Sequence, residues 1–325
     1  MAVAGPTVSR LLGPQRIVVP QATSPFKVTC GGLWAHPPGI GEGVGISRKA
    51  RQRRAQSRRG SRYKGRPIPG ASRFSAGDRV YGLVAGGAYA EQIVAHEREV
   101  APIPAGLATE EAAAIPEAFL TAYDALVVQA RLAPGERVLI HAAGSGVGTA
   151  GVQIARALGC FVIGTSRTAD KLERAKELGL DAGLLTKGAT FAAAVLDATN
   201  KAGADVVLEL VGGAYVAEDL RATAQSGRIV LVGLTAGAQG EIDLGLLLRK
   251  RITLKGTVMR ARPLEEKIQA AQLLERSISP WVAKRIVKPV VDRVFPLEEA
   301  AAAHAYVAAD QSFGKVLLRI GAPIV

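Results

Sequence analysis

Arg137-Val-Leu-Ile-His-Ala-Ala-Gly-Ser-Gly-Val-Gly-Thr-Ala-Gly151 is the most informative run of the chain. Val138 to His141 is a short apolar run of the kind buried in a parallel sheet, and it passes directly into a loop of small residues, Ala142 to Gly148. Beyond the loop, Val147, Gly151, Ile154 and Leu158 recur at helical spacing and mark one face of a helix ending near Gly159. A second strand, Phe161-Val-Ile-Gly164, follows. Strand, small-residue loop, helix and strand form the unit that binds a dinucleotide pyrophosphate: small residues let backbone N–H groups approach, and the helix N-terminus favours an anion. Gly146-Val-Gly-Thr-Ala-Gly151 matches G-x-G-x-x-G by letter, but that window lies largely within the helix. Ala143, Ser145 and Gly148 fit the three roles better, leaving Gly151 to pack helix on sheet. The expected pyrophosphate site is therefore Ala143, Gly144, Ser145, Gly146, Val147 and Gly148.

The end of the second strand distinguishes the cofactors. A site for NAD wants an Asp or Glu there to accept from the ribose 2′-hydroxyl, and such a group would repel a 2′-phosphate. Here the chain reads Thr165-Ser-Arg167, with Lys171 opening the next helix. Hydroxyl donors and two cations suit a phosphate, so Ser166, Arg167 and Lys171 point to NADP (NADPH). The plainer alternative is that Arg167 and Lys171 are solvated surface charges, with Asp170 blunting their field.

The alternation continues. A helix is predicted from Asp170 to Leu178, a strand at 182–185, a helix over 190–201 and a strand over 205–211, which together predict a doubly wound parallel sheet. That last strand ends at Gly212-Gly213, and the strand Arg228 to Val232 ends at Gly233-Leu234; strand C-terminal ends are where such sheets hold ligands. Ile252 to Met259 reads as an edge strand, and Leu264, Ile268, Ala271, Leu274 and Ile278 trace one helical face.

Upstream, 75–84 reads as a turn and an alternating strand, and 88–95 as a second. A helical run from Thr109 to about Ala130 is interrupted or restarted at Pro116. Residues 1–75 hold 14 Lys/Arg against one acid, Glu42, and so carry the whole formal charge of +13 of the 325-residue chain. The remainder is neutral, so the basic balance says nothing about what the folded body binds. Ten of the nineteen residues from Arg48 to Arg66 are basic, with little apolar periodicity, and poor order is expected there. A nucleic-acid arm or an organelle-targeting sequence are alternatives, but Tyr63 is the only aromatic in that run and RNA stacking is not favoured. No uncharged apolar run approaches the roughly 20 residues of a membrane span. Cys30 and Cys160 build neither a disulfide framework nor a cysteine-rich zinc site, so the expected compartment is reducing and cytoplasmic.

Four motifs in order, Ala118-Phe-Leu-Thr-Ala-Tyr-Asp-Ala-Leu126, His141-Ala-Ala-Gly-Ser-Gly-Val-Gly-Thr-Ala150, Val207-Leu-Glu-Leu-Val-Gly-Gly213 and Phe313-Gly-Lys-Val-Leu-Leu318, resemble the medium-chain dehydrogenase/reductase superfamily, in its zinc-free quinone oxidoreductase (zeta-crystallin-like) branch. The resemblance covers about residues 74–320. It implies a Rossmann cofactor domain inserted in a GroES-like β-rich catalytic domain, whose chain returns near the C-terminus over 290–320. It further implies Thr121, Gly233 and Leu234 near the nicotinamide, Lys315 near the cofactor cleft, and a homodimer. The resemblance places a tyrosine of the branch at Thr186, and its absence weakens one expected phosphate contact. The strand-rich opening of the family is not found between Met1 and Arg73, as a displaced upstream reading frame would produce, so the catalytic domain is expected to be incomplete at its N-terminus. The expected organisation is a basic, atypical segment (1–74), a remnant of the GroES-like domain (75–117), the Rossmann NADP-binding domain (118–262), and the last Rossmann helix with the return (263–325).

Among isolated candidates, His141 reads better as a packed, hydrogen-bonded residue than as a base. Glu209 is either a cofactor-side carboxylate or a strand-end charge, and Cys160 is expected to pack as a small apolar residue. The expected activity is zinc-independent hydride transfer from NADPH to a small-molecule quinone or related conjugated carbonyl (enone), with no side-chain base assigned. The alternatives are an enoyl or 2-alkenal reductase, and a catalytically impaired NADPH-binding protein that contacts RNA through its basic segment.

Overall fold

The structure, a computed structural model, describes residues 73–75, 77–90 and 92–320 together with the strands at 2–5, 10–11, 16–20 and 26–29. The basic run from 48 to 66 lies outside the described residues.

The chain opens with strands β1 (Ala2–Gly5), β2 (Arg10–Leu11), β3 (Arg16–Pro20) and β4 (Phe26–Thr29), followed by β5 (Val80–Leu83), β6 (Gln92–His96) and β7 (Val100–Pro102). Helix α1 (Thr109–Ala114) stops before Pro116, which starts α2 (Pro116–Tyr123); a wider turn over Asp124–Gln129 continues it. The proline supplies no N–H, so it is tolerated only in the first turn of a new helix, as the sequence predicts.

Next come β8 (Arg137–Ile140), α3 (Gly146–Ala157), β9 (Phe161–Ser166), α4 (Ala169–Lys176), β10 (Ala182–Leu185), α5 (Ala192–Ala198), β11 (Ala204–Glu209), α6 (Tyr215–Ala222), β12 (Thr223–Leu231), α7 (Leu244–Lys250) and β13 (Thr253–Gly256). The six strands form one parallel sheet in the order β10-β9-β8-β11-β12-β13. The order reverses between β8 and β11, and the crevice outside the C-terminal ends of those strands is where such sheets bind ligands. The expected doubly wound sheet is thus present. Val138, Leu139, Ile140, Val162, Ile163, Val206, Val207 and Leu208 have no exposed surface, as strands covered on both faces require.

The chain closes with α8 (Leu264–Leu273), α9 (Ser279–Ala283), β14 (Val291–Pro296), α10 (Ala300–Ala308) and β15 (Lys315–Ile320). β15 returns to a second, mixed sheet ordered β14-β15-β4-β1-β5-β7, while β2, β3 and β6 form a third. Four strands lie inside the segment 1–74: β1 pairs antiparallel with β4 and β5, β4 with β15, and β3 with β6. Their partners are distant in sequence, and short strands carry no local signal strong enough to reveal such pairing. β5 also departs from the expected alternation: Val80, Tyr81, Gly82 and Leu83 are all buried, because the strand is covered on both sides. Other boundaries shift as well. β12 begins five residues before Arg228, and β13 stops at Gly256 rather than at Met259.

Ion pairs tie the opposite, N-terminal end of the sheet. Arg137 makes a bidentate pair with Asp205 (2.8 and 2.7 Å), joining the starts of β8 and β11, and Arg228 pairs in the same way with Glu136 (2.9 and 2.7 Å). A third pair is buried: Arg262 donates to both oxygens of Asp124 at 3.1 and 2.6 Å, and Thr257 adds a hydrogen bond at 3.0 Å. It fastens the segment after β13 to the end of α2. Asp124→Ala leaves a largely buried guanidinium without its partner and is expected to cost about 3 kcal/mol, read as a lowered midpoint in urea denaturation.

Candidate functional site

The turn that leaves β8 is built by steric necessity. A Cβ added at Gly148 would lie 2.2 Å from the Ala142 carbonyl oxygen and 2.9 Å from Ala143 Cα, so only glycine lets α3 begin against the loop. Ala142 is held in the left-handed region (φ 46°), a conformation unfavourable for alanine. It is fixed by the Ser145 amide donating to the Ala142 carbonyl at 2.8 Å and the Ala143 amide donating to Thr165 at 2.9 Å. Ser145 caps α3, its hydroxyl accepting from the Gly148 amide at 3.0 Å. Gly146 to Gly151 lies wholly inside α3, so the literal G-x-G-x-x-G window is indeed helix. Gly151 meets Leu208 and Ile140 of the sheet, the packing role expected of it.

Two lysine side chains flank this turn. The Lys171 side chain passes over Gly144, where an added Cβ would meet its Cδ at 2.9 Å, and the Lys315 side chain crosses Gly146 at 2.2 Å from the equivalent position. The segment before β15 is tied to the loop by the Gly314 amide, which donates to the Gly144 carbonyl at 2.9 Å. Each cation is met by a carboxylate. Lys315 pairs with Glu117 of α2; burial alone would raise the Glu117 carboxyl, but the ammonium outweighs it and holds the group below the usual range. Lys171 donates to the Asp310 carboxylate at 2.5 Å and to its carbonyl at 2.6 Å, and Arg167 pairs with the same carboxylate at 2.6 Å. Arg167 and Lys171 are thus neither apart nor simply solvated: Lys171 is buried, Arg167 is 68% exposed along its side chain, and Asp310 holds both. Ser166 is buried at the end of β9 and accepts from the Thr168 amide at 3.3 Å. Thr186, where the family's tyrosine was expected, lies 3.4 Å from the hydroxyl of Tyr215.

Across the crevice, Gly233 follows β12 where an added Cβ would lie 2.1 Å from the Leu210 carbonyl, and the Leu234 side chain reaches Gly212. Gly212 and Gly213 both have positive φ (74° and 57°), turning the chain sharply after β11. Thr121 is buried on α2, one turn beyond Glu117. The structure therefore gathers Gly144, Ser145, Gly146, Lys171, Arg167 and Lys315 around one helix N-terminus, with Gly233 and Leu234 beside the neighbouring strand end. Asp310 and Glu117 had no local signal, since their partners lie 139 and 198 residues away.

Beneath the loop lies a closed polar cluster. His141, Glu209 and Asp219 have no exposed surface, and their ligand-type atoms fall within 4.8 Å of one another, the only such group of metal-ligating side chains among the described residues. The packed, hydrogen-bonded reading of His141 holds: Nε2 lies 2.7 Å from Asp219 Oδ1 and Nδ1 2.8 Å from Thr165 Oγ1. Burial lowers the His141 pKa and keeps the ring neutral. Glu209 ends β11, its Oε1 accepting from the amides of Val211 and of Gly212 (2.8 Å). A catalytic zinc needs an open coordination position, which this sealed cluster does not offer. Cys160 is buried, as expected.

Residues 146–276 match the zinc-binding dehydrogenase family. Polyketide synthase GfsB of Streptomyces halstedii is 48% identical over 125 residues, 38% of this chain but 2% of that protein, so the chain spans only a small part of the curated relatives it matches. Among solved structures, an NAD-dependent alcohol dehydrogenase is 34% identical (TM-score 0.69; 78% of this chain, 79% of that one). The CurK enoyl reductase is 30% identical (0.66; 77% and 74%), and the Escherichia coli quinone oxidoreductase complexed with NADPH is 28% identical (0.70; 77% and 78%). With a parallel sheet of this order, a helix that starts on a glycine-bounded turn, and relatives that share about a third of their residues along most of both chains, this chain belongs to the medium-chain dehydrogenase/reductase superfamily.

Proposed function

We propose that the chain is an NADPH-dependent, zinc-independent reductase of conjugated carbonyl compounds, acting on enoyl thioesters. The observation that carries the nucleotide half is the turn at Ala142–Gly148, closed against any Cβ at Gly148 and flanked by the Lys171 and Lys315 side chains. Donors of this kind fit a pyrophosphate at a helix N-terminus. In this reading the amides of Ala143 to Gly148 hold the diphosphate and Lys315 neutralises it. Ser166, Arg167 and Lys171 take the 2′-phosphate, and Asp310 yields its two cations as they do so. Thr121, Gly233 and Leu234 flank the nicotinamide and keep water from it. When bound, NADPH supplies the hydride; the protein supplies orientation and a dry crevice, and no side-chain base is assigned. The cytoplasm and a homodimer belong to the same proposal. Among the described residues no helix is long and apolar enough to cross a membrane.

The substrate class rests on the likeness to polyketide synthases and to an enoyl reductase. Quinone reduction is the second reading, favoured by the likeness to a quinone oxidoreductase bound to NADPH. Oxidation of NADPH followed with crotonyl thioester and with a benzoquinone separates them: turnover with the thioester and not the quinone is expected, and the reverse assigns the quinone.

Titration calorimetry is expected to show tighter binding of NADPH than of NADH. Arg167→Ala removes one charge-assisted contact of about 1.5–3 kcal/mol and is expected to weaken NADPH about tenfold or more while leaving NADH unchanged. Asp310→Asn removes the competing carboxylate and is expected to strengthen NADPH binding. Equal affinities for the two nucleotides in the parent chain would count against Arg167 and Lys171.

A further inference from the structure

Two carboxylate oxygens in the sealed cluster, Glu209 Oε2 and Asp219 Oδ2, are buried without a hydrogen-bond partner among ordinary donors. Every other polar atom there is engaged. Thr165 on β9 meets His141 Nδ1, His141 Nε2 just after β8 meets Asp219 Oδ1 on α6, and Glu209 Oε1 accepts from the turn that follows β11. Two buried anions side by side with only a neutral imidazole between them would repel each other in a low dielectric. A single proton resolves both vacancies at once.

We propose that Glu209 is a protonated positioning residue, its Oε2–H donating to Asp219 Oδ2. A continuous chain then runs from the Thr165 hydroxyl through His141, Asp219 and Glu209 to the amides of Val211 and Gly212. It ties the C-terminal ends of β8, β9 and β11 to α6 and holds the turn at Gly212-Gly213 that borders the crevice. Asp219 is the one anion, accepting from His141 on one oxygen and Glu209 on the other. The groups facing it support this. Phe191 and Tyr215 enclose the His141 ring, with centroids at 4.6 and 5.1 Å. The neighbouring Glu218 is turned to Arg221 and to the amides of Phe191 and Ala192. Among the described residues, neither a lysine nor an arginine is paired with Glu209 or Asp219. Burial and the Asp219 charge push the Glu209 carboxyl up to about 8, and burial pushes Asp219 up to about 7, so the pair keeps a proton at neutral pH. The inference stands apart from the proposed activity.

Glutamine at 209 keeps the Oε1 acceptor and offers an amide donor where the proton sits. Glu209→Gln is therefore expected to fold, whereas Glu209→Ala loses both contacts and melts lower. The folded pKa of Glu209 lies above its unfolded value of 4.5, so its contribution is complete below about pH 4.5 and is lost as pH rises towards 8. The melting temperature of Glu209→Gln minus that of the parent is expected to grow by several degrees, about 3 °C or more, between pH 5 and pH 8, and to level off above. Infrared difference spectra of the parent chain are expected to contain a protonated-carboxyl stretch at pH 7 that shifts on carbon-13 labelling of glutamate and vanishes above pH 8. That measurement needs no variant. A pH-independent melting difference, or no labelled stretch at pH 7, would overturn the proposal. So would a zinc-dependent rise in melting temperature that Glu209→Gln abolishes, because the three side chains would then be cation ligands.

Discussion

The approach of Gly148 to the carbonyl of Ala142 is the contact on which the rest of the site depends. A side chain at 148 would collide with backbone rather than with a flexible neighbour, so nothing nearby can yield. Because that space stays empty, α3 starts directly on the end of β8 and its first turn faces the crevice where the strand order reverses. The left-handed Ala142 and the serine cap follow from the same geometry: the chain must turn within five residues from strand to helix, and each bond made there fixes the next. Unfavourable backbone held by surrounding hydrogen bonds is found where function demands a shape.

Charge is distributed along the sheet in a matching way. At the N-terminal ends of the strands, Arg137 with Asp205 and Arg228 with Glu136 form close bidentate pairs that hold strands together. At the C-terminal ends the cations Lys171, Arg167 and Lys315 are paired instead with carboxylates that arrive from outside the sheet, Asp310 after α10 and Glu117 on α2. Such carboxylates keep the cations ordered and near the turn, and an incoming phosphate would compete with them for the same donors. The buried cluster of His141, Glu209 and Asp219 lies one layer deeper, binding together the strand ends that carry the turn.

Most of the parallel sheet was legible because its signals are local. Val138 to His141 is apolar and short, the following small residues cannot form a strand, and Val147, Gly151, Ile154 and Leu158 have a helical period; each link is read within a few residues. Pro116 could only begin a helix. The N-terminal strands were not legible. β1, β3 and β4 are recognised by what they pair with, and those partners, β5, β6 and β15, lie far along the chain. The carboxylates that meet the site cations were hidden for the same reason: an aspartate in a helix-ending turn is ordinary until α10 carries it against Lys171.

Local residue order is enough to specify the strand-turn-helix unit, the lack of an acid at the end of β9 and the presence of Ser166, Arg167 and Lys171 there, because these depend on side-chain size, period and charge over short spans. The folded chain alone brings Asp310 onto both cations, carries Lys315 across Gly146 beside Glu117, and buries Glu209 together with Asp219. Those are meetings of residues from separate elements, and the energy of a charge or a hydrogen bond is set by what stands opposite it and how little water remains.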